Sequence, residues 1–241
     1  MRITRLGPAD VDALTGITAA EVDRIAATTN PRHRRGRPPG LTHPDRVLLT
    51  LVALRTNLTE RALAAIFDIS QPTAHRIIRD LTAAVAGLFV PDEFDSTDTL
   101  LLDGTLIPVH DQSITRPSKN YRRSVNIQVM ATLHRRIVHV GNAWPGNRND
   151  IVVAKATITL PAGITTLTDG GYRSMPGATL PPTDDPARLA EHRRRRARIE
   201  RILARMKDWQ ILRQCRRRGN AINLAAARAV AYLWNTKLAR L

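Results

Sequence analysis

The spacing of the apolar residues changes abruptly between residues 82 and 99, and no single kind of regular element can serve both halves of the chain. From 47 to 81 apolar residues recur at three and four (Val47, Leu48, Leu51, Val52, Leu54; Leu63, Ile66, Phe67; Ala74, Ile77, Ile78, Leu81), the repeat of helices with an inward face. After Asp98 the pattern becomes that of strands: the run Leu100-Leu101-Leu102, then Val125, Ile127 and Val129 alternating with Asn126 and Gln128, then Ile137 to Val140. Between the halves lies Pro91 to Asp98, with Asp92, Glu93, Asp95 and Asp98 and little to bury. A domain boundary is expected there, leaving a helical region over 1–90 and a second domain over 91–241.

The helical half carries local start and stop signals. Thr42-His43-Pro44-Asp45 offers a cap, a first-turn proline and an acid able to reach back. A second helix is expected from Thr59 to Phe67, and Asp68-Ile69-Ser70 is a short turn with Ile69 as its buried residue. Ser70 is placed to cap a third helix from Gln71 to about Leu81. Two short helices joined by such a turn form a helix-turn-helix, over about 42–82. The outward face of the third helix carries Gln71, Thr73, His75, Arg76 and Arg79, side chains able to meet base edges and phosphates. A smaller helical piece is expected from Pro8 to Thr28, then a Pro/Gly/Arg segment at 31–40. There Arg35-Gly36-Arg37-Pro38 has two arginines flanking a glycine, suited to phosphate attraction and to a narrow minor groove.

Charge narrows the partners. Thirty-seven Lys and Arg against 21 Asp and Glu give a formal net charge of +16, which calls for an anionic partner such as a nucleic-acid backbone. With three Tyr, three Phe and three Trp there is little surface for stacking single strands, which disfavours an RNA-binding role. Cys215 is alone, so neither a disulfide framework nor a cysteine metal cluster is expected. No apolar run approaches the ~18 residues of a membrane span, and no secretory leader is evident. A cytoplasmic protein without a membrane partner is expected. Nucleotide-binding glycine patterns and Ser/His or Cys/His pairings are missing as well.

In the second half, three strands, a helix after Pro145 to Asp150, a fourth strand over Ile164 to Thr168 and a long helix from Asp185-Pro186 to about Trp209 give a ribonuclease-H-like α/β order. A mixed sheet with flanking helices is expected, preceded by the all-α helix-turn-helix domain. Asp103 and Asp169 are each expected to close an apolar strand just before glycine. On the long helix, Arg196, Glu200 and Lys207 share a stripe bordering the face of Leu189, His192, Ile199, Leu203 and Met206.

Taken in order, Leu-Leu-Leu-Asp103-Gly104-Thr105, Trp144-Pro145-Gly146 to Asp150, Thr168-Asp169-Gly170-Gly171-Tyr172 and Arg196-x-x-x-Glu200-x₆-Lys207 resemble the DDE transposases of bacterial insertion sequences, in particular the group related to Harbinger elements. Asn149, Gly170 and Arg193 depart from that group's commoner His, Lys and Tyr. The resemblance implies Asp103, Asp169 and Glu200 as catalytic, metal-holding carboxylates. Asp150 is a helix cap or supporting group and the reserve for the middle position. The resemblance further implies that Arg193, Arg196 and Lys207 grip DNA phosphates. Three converging carboxylates require cations, and oxygen-only ligands favour two Mg²⁺ or Mn²⁺ ions. The implied activity is hydrolysis of a phosphodiester at an element end, then transfer of the freed 3′-OH into target DNA. The resemblance also implies double-stranded DNA as the partner, a homodimer on that DNA, and a bound protein at the bacterial nucleoid. The competing expectation is a non-catalytic DNA-binding regulator or inactive remnant.

Overall fold

The computed structural model describes residues 6–29, 40–90, 97–117, 123–216 and 220–240. The basic segment with Arg35 and Arg37, and most of the acidic stretch expected as a boundary, lie outside the described residues.

The single helical piece expected over Pro8 to Thr28 is two helices, α1 (Pro8–Thr15) and α2 (Ala19–Thr29). Gly16 separates them at φ +83°, a left-handed turn that glycine enters without steric cost, with its N–H bonded to Asp12 O at 2.7 Å. In α3 (His43–Thr56) the expected start is present: Thr42 Oγ1 accepts from Asp45 N at 3.3 Å and donates to Asp45 Oδ2 at 2.7 Å. The one inward face read for this helix is too narrow. Val47 to Leu54 are buried without a gap, because α1, α2, the later helix α5 and the segment around Trp209 surround it. Thr59 caps α4 (Glu60–Phe67), accepting from Ala62 N at 3.2 Å, and Asp68 at φ +55° makes the turn. Ile69 is only half-buried there.

The third helix of the motif, α5 (Gln71–Gly87), runs six residues past the expected end at Leu81. Thr82, Val85 and Ala86 are buried, and α5 packs on a C-terminal helix, α8 (Asn220–Leu238). Ser70 precedes α5 without capping it; its hydroxyl pairs instead with that of Thr73 at 2.9 Å.

The second half forms a mixed sheet of β1 (Thr99–Pro108), β2 (Ser124–Thr132), β3 (Ile137–Val140), β4 (Trp144–Pro145), β5 (Thr165–Leu167) and β6 (Ala178–Thr179). Its order is β3-β2-β1-β5-β6, with β4 also paired to β2. The first three strands are antiparallel, β5 runs parallel to β1, and β6 parallel to β5. This is the expected ribonuclease-H-like layout. Alternation sorts each strand's residues onto two faces. Leu101, Ile107, Val125, Ile127, Val129, Ala131 and Leu167 face α7 (Pro186–Met206) and α8, in one core continuous with that of the N-terminal helices. Leu100, Leu102 and Met130 face α6 (Asp150–Thr157) in a smaller core with Ala154, Ile158 and Tyr172.

Two attachments make the helices and sheet one body. Asn235 of α8 accepts from Ile137 N at 2.9 Å and donates to Ile137 O at 2.8 Å, satisfying the edge strand β3. Trp209, 1% exposed, donates to Thr15 O at 3.1 Å and lies under the Arg55 guanidinium, 5.2 Å from its ring centre.

Candidate active site

Asp103 is mid-strand, not at a strand end as its glycine neighbour suggested. Gly104 to Pro108 continue the ladder with Gln128 to Ser124, so β1 does not stop. What stops is its neighbour: the parallel β5 ends at Leu167, paired with Leu101. Asp169 lies two residues beyond Leu167, as Asp103 lies two beyond Leu101, so the sheet opens into a crevice beside both acids. Asp169 is extended, and its Oδ1 accepts from Gly171 N at 2.8 Å at the start of a short 3-10 turn, Gly170–Tyr172.

α7 crosses above this opening. Asp185 caps it, accepting from Ala187 N at 2.8 Å and Arg188 N at 3.0 Å, while His192, Ile199, Ile202, Leu203 and Met206 seat it. Arg196 projects from the flank of that buried face and donates through Nη2 to Asp103 Oδ2 at 3.1 Å, with both side chains largely covered (14% and 18% exposed). Asp103 Oδ1 accepts from Gly104 N at 2.9 Å. Burial nevertheless pushes the Asp103 carboxyl up to about 6, against the pull of Arg196 and the Gly104 N–H, and the charges of Asp169 and Asp150 push the same way.

Asp150 approaches from the α6 face. Its Oδ1 accepts from Asn126 Nδ2 at 2.7 Å and Gln128 Nε2 at 3.1 Å, and it lies directly under Gly104, where a Cβ would overlap it. Asp103, Asp150 and Asp169 therefore share one neighbourhood. Glu200 stands one helical turn after Arg196 on the same flank of α7 and is exposed. Among the described residues no bond joins it to the three aspartates, and no group of three or more His, Cys, Asp or Glu is gathered to hold a metal ion. Lys207 ends α7 half-buried, its amine lowered by burial and by Arg213. Arg193 is exposed.

The donor chemistry here fits a hard divalent cation, since Asp103, Asp150 and Asp169 offer carboxylate oxygens. Asp103 already draws a cation. Arg196 fills that role, and among the described residues its buried Nε has no partner.

The surface of α5 carries the expected polar set. Gln71, His75, Arg76 and Arg79 are exposed and Thr73 half-buried. His75 Nδ1 lies 3.0 Å from Glu60 Oε1 of α4, and Arg79 pairs with Asp80 at 2.9 Å.

Comparison with known proteins gives the family. Residues 39–89 match the helix-turn-helix of DDE superfamily endonucleases, and residues 95–179 match the transposase DDE domain. A protein of Streptomyces albus G, named as a transposase for insertion sequence element IS112, is 39% identical over 208 residues, covering 80% of this chain and 79% of its own length. The chain belongs to the DDE transposases. No solved structure matches it significantly. Within this transposase family frame, the boundary between the two matched regions falls where the apolar period changes. Both matched regions nevertheless feed one core, through α8 and Trp209. Among the described residues no helix is long and apolar enough to cross a membrane.

Reading the sequence for carboxylates and bases missed Asn126, Gln128 and Tyr172. A signal was present: two amides on alternate positions of an otherwise apolar strand must find partners if that strand is covered on both faces.

Proposed function

We propose that this transposase cuts a phosphodiester at an element end with water and then joins the freed 3′-OH to target DNA, with Asp103, Asp169 and Glu200 as its catalytic carboxylates. The observation that carries this reading is the opening beside Asp103 and Asp169 where β5 ends, crossed by the helix that bears Arg196 and Glu200. Asp103, Asp169 and Glu200, with Asp150 in reserve, would hold two Mg²⁺ or Mn²⁺ ions, whose charge would activate the attacking water and stabilise the departing 3′ oxygen.

The chain's own groups supply placement. Gln71, Thr73, His75, Arg76 and Arg79 would read and grip an element end in the major groove. Arg193, Arg196 and Lys207 would hold phosphates along α7, with Arg35 and Arg37 adding backbone attraction. Arg196 starts from Asp103, so it is placed to exchange a carboxylate for a phosphate on the same flank. Two copies would pair the two element ends, in the cytoplasm at the nucleoid.

The test is Asp103→Asn. With Mg²⁺ or Mn²⁺ present, nicking of element-end DNA should vanish while DNA binding, followed by gel shift in chelator, stays intact or strengthens. Loss of binding together with nicking would overturn the assignment of Asp103 to chemistry. A wild-type protein that binds but nicks with neither ion would instead be a regulator.

A further inference from the structure

We propose that Gln128, assisted by Asn126 and Tyr172, is a positioning residue that aims Asp150 at the crevice, making Asp150 a working member of the carboxylate group. This rests on the active-site reading above and deepens it. Asn126 and Gln128 are 2% and 0% exposed on β2, where unpaired amides would be costly, and every amide hydrogen is used. Gln128 Nε2 donates to Asn126 Oδ1 at 3.0 Å and to Asp150 Oδ1 at 3.1 Å. Asn126 Nδ2 donates to Asp150 Oδ1 at 2.7 Å and to Arg148 O at 3.3 Å.

The direction of the network is fixed from its far end. The Tyr172 hydroxyl, 1% exposed as a residue and held protonated by burial and then by Asp150, donates to Gln128 Oε1 at 2.6 Å. With its oxygen committed to Tyr172, the Gln128 amide can only turn its nitrogen toward Asp150. Gly104 completes the fit. A Cβ there would overlap Asp150 Oδ1, approach its Cγ to 2.8 Å and come within 2.5 Å of Gln128 Nε2. Asp150 is the first residue of α6, yet the network spends its Oδ1 on amides of the sheet, and among the described residues Oδ2 has no hydrogen-bond partner. A carboxylate held by two buried amides beside Asp103 and Asp169 is the arrangement expected of a supported ligand, where loss of a supporting partner typically costs ~10–100-fold in metal affinity.

The experiment titrates full-length metal-free protein with Mn²⁺, following the free ion by its paramagnetic resonance, alongside nicking and gel shift. Gln128→Glu and Asp150→Asn should each weaken Mn²⁺ binding about tenfold or more, with the double variant no worse than Asp150→Asn alone. DNA binding in chelator should be unchanged. Tyr172→Phe, which deletes one hydroxyl, should weaken Mn²⁺ binding in the same direction, and it decides the matter should Gln128→Glu fail to melt cooperatively. Wild-type Mn²⁺ affinity in Asp150→Asn or Tyr172→Phe would overturn the proposal. If Asp103→Asn still loses Mn²⁺ in that case, the active-site reading stands; if Asp103→Asn also keeps it, that reading falls as well.

Discussion

Asp103→Asn should make the metal-free protein more stable at neutral pH even as it removes activity. The Asp103 carboxyl is raised from an ordinary 3.8 to about 6, chiefly by burial. A raised carboxyl means that the folded protein keeps a proton which the unfolded chain releases. The associated stability is fully present below about pH 4 and is lost as pH rises through about 6. A difference of about two units corresponds to ~3 kcal/mol at neutral pH, an upper figure because Arg196 and solvent adjust. Asn mimics the protonated acid at every pH and should recover most of that cost. For a chain of this size ~3 kcal/mol is worth roughly 6–12 °C in melting temperature. Thermal melts by circular dichroism in chelator, at about pH 4 and about pH 7.5, would read it: coincident curves at the lower pH and a more stable variant at the higher. A variant less stable than wild type at the higher pH would show that the Arg196 ion pair outweighs burial, and the reasoning would be wrong.

Trp209→Ala removes a fully buried ring together with its bond to Thr15 O, and should cost ~3–5 kcal/mol. DNA binding and nicking should then fail over the same range of denaturant, since the core beneath both is continuous; separate transitions would contradict this. Arg76→Ala, at an exposed site on α5, should leave the melt unchanged while weakening DNA binding and flattening its dependence on salt by about one unit of slope.

How much the sequence disclosed depended on whether a signal was local. The start of α3 was legible because Thr42, Pro44 and Asp45 act on their own backbone. The start of α7 was legible for the same reason at Asp185 and Pro186. α8 escaped notice because Ala226, Ala227, Ala229, Val230, Ala231, Leu233 and Trp234 are all buried, and a helix covered on most sides leaves no polar stripe to mark its period. β6, two residues long, carries no pattern at all. Gly104 suggested a strand end, whereas its role is non-local: it clears space for Asp150 from a helix 46 residues later in the chain. Asp103 and Asp169 could be picked out by chemistry, but their alignment depends on the parallel register of β5, which no local feature encodes.

The seating of α5 on α8, and of α8 on the edge of the sheet, has a geometric consequence for target choice. The α5 surface proposed to meet the bases and the sheet that bears the acids are both seated on one helix, so the protein would act as a ruler of fixed length. The interval between the recognised repeat and the severed bond would be dictated by side-chain packing and not by the reach of a tether. A single residue inserted into α8 would turn every residue beyond it by about 100° about the helix axis, disturbing the seat that sets this interval.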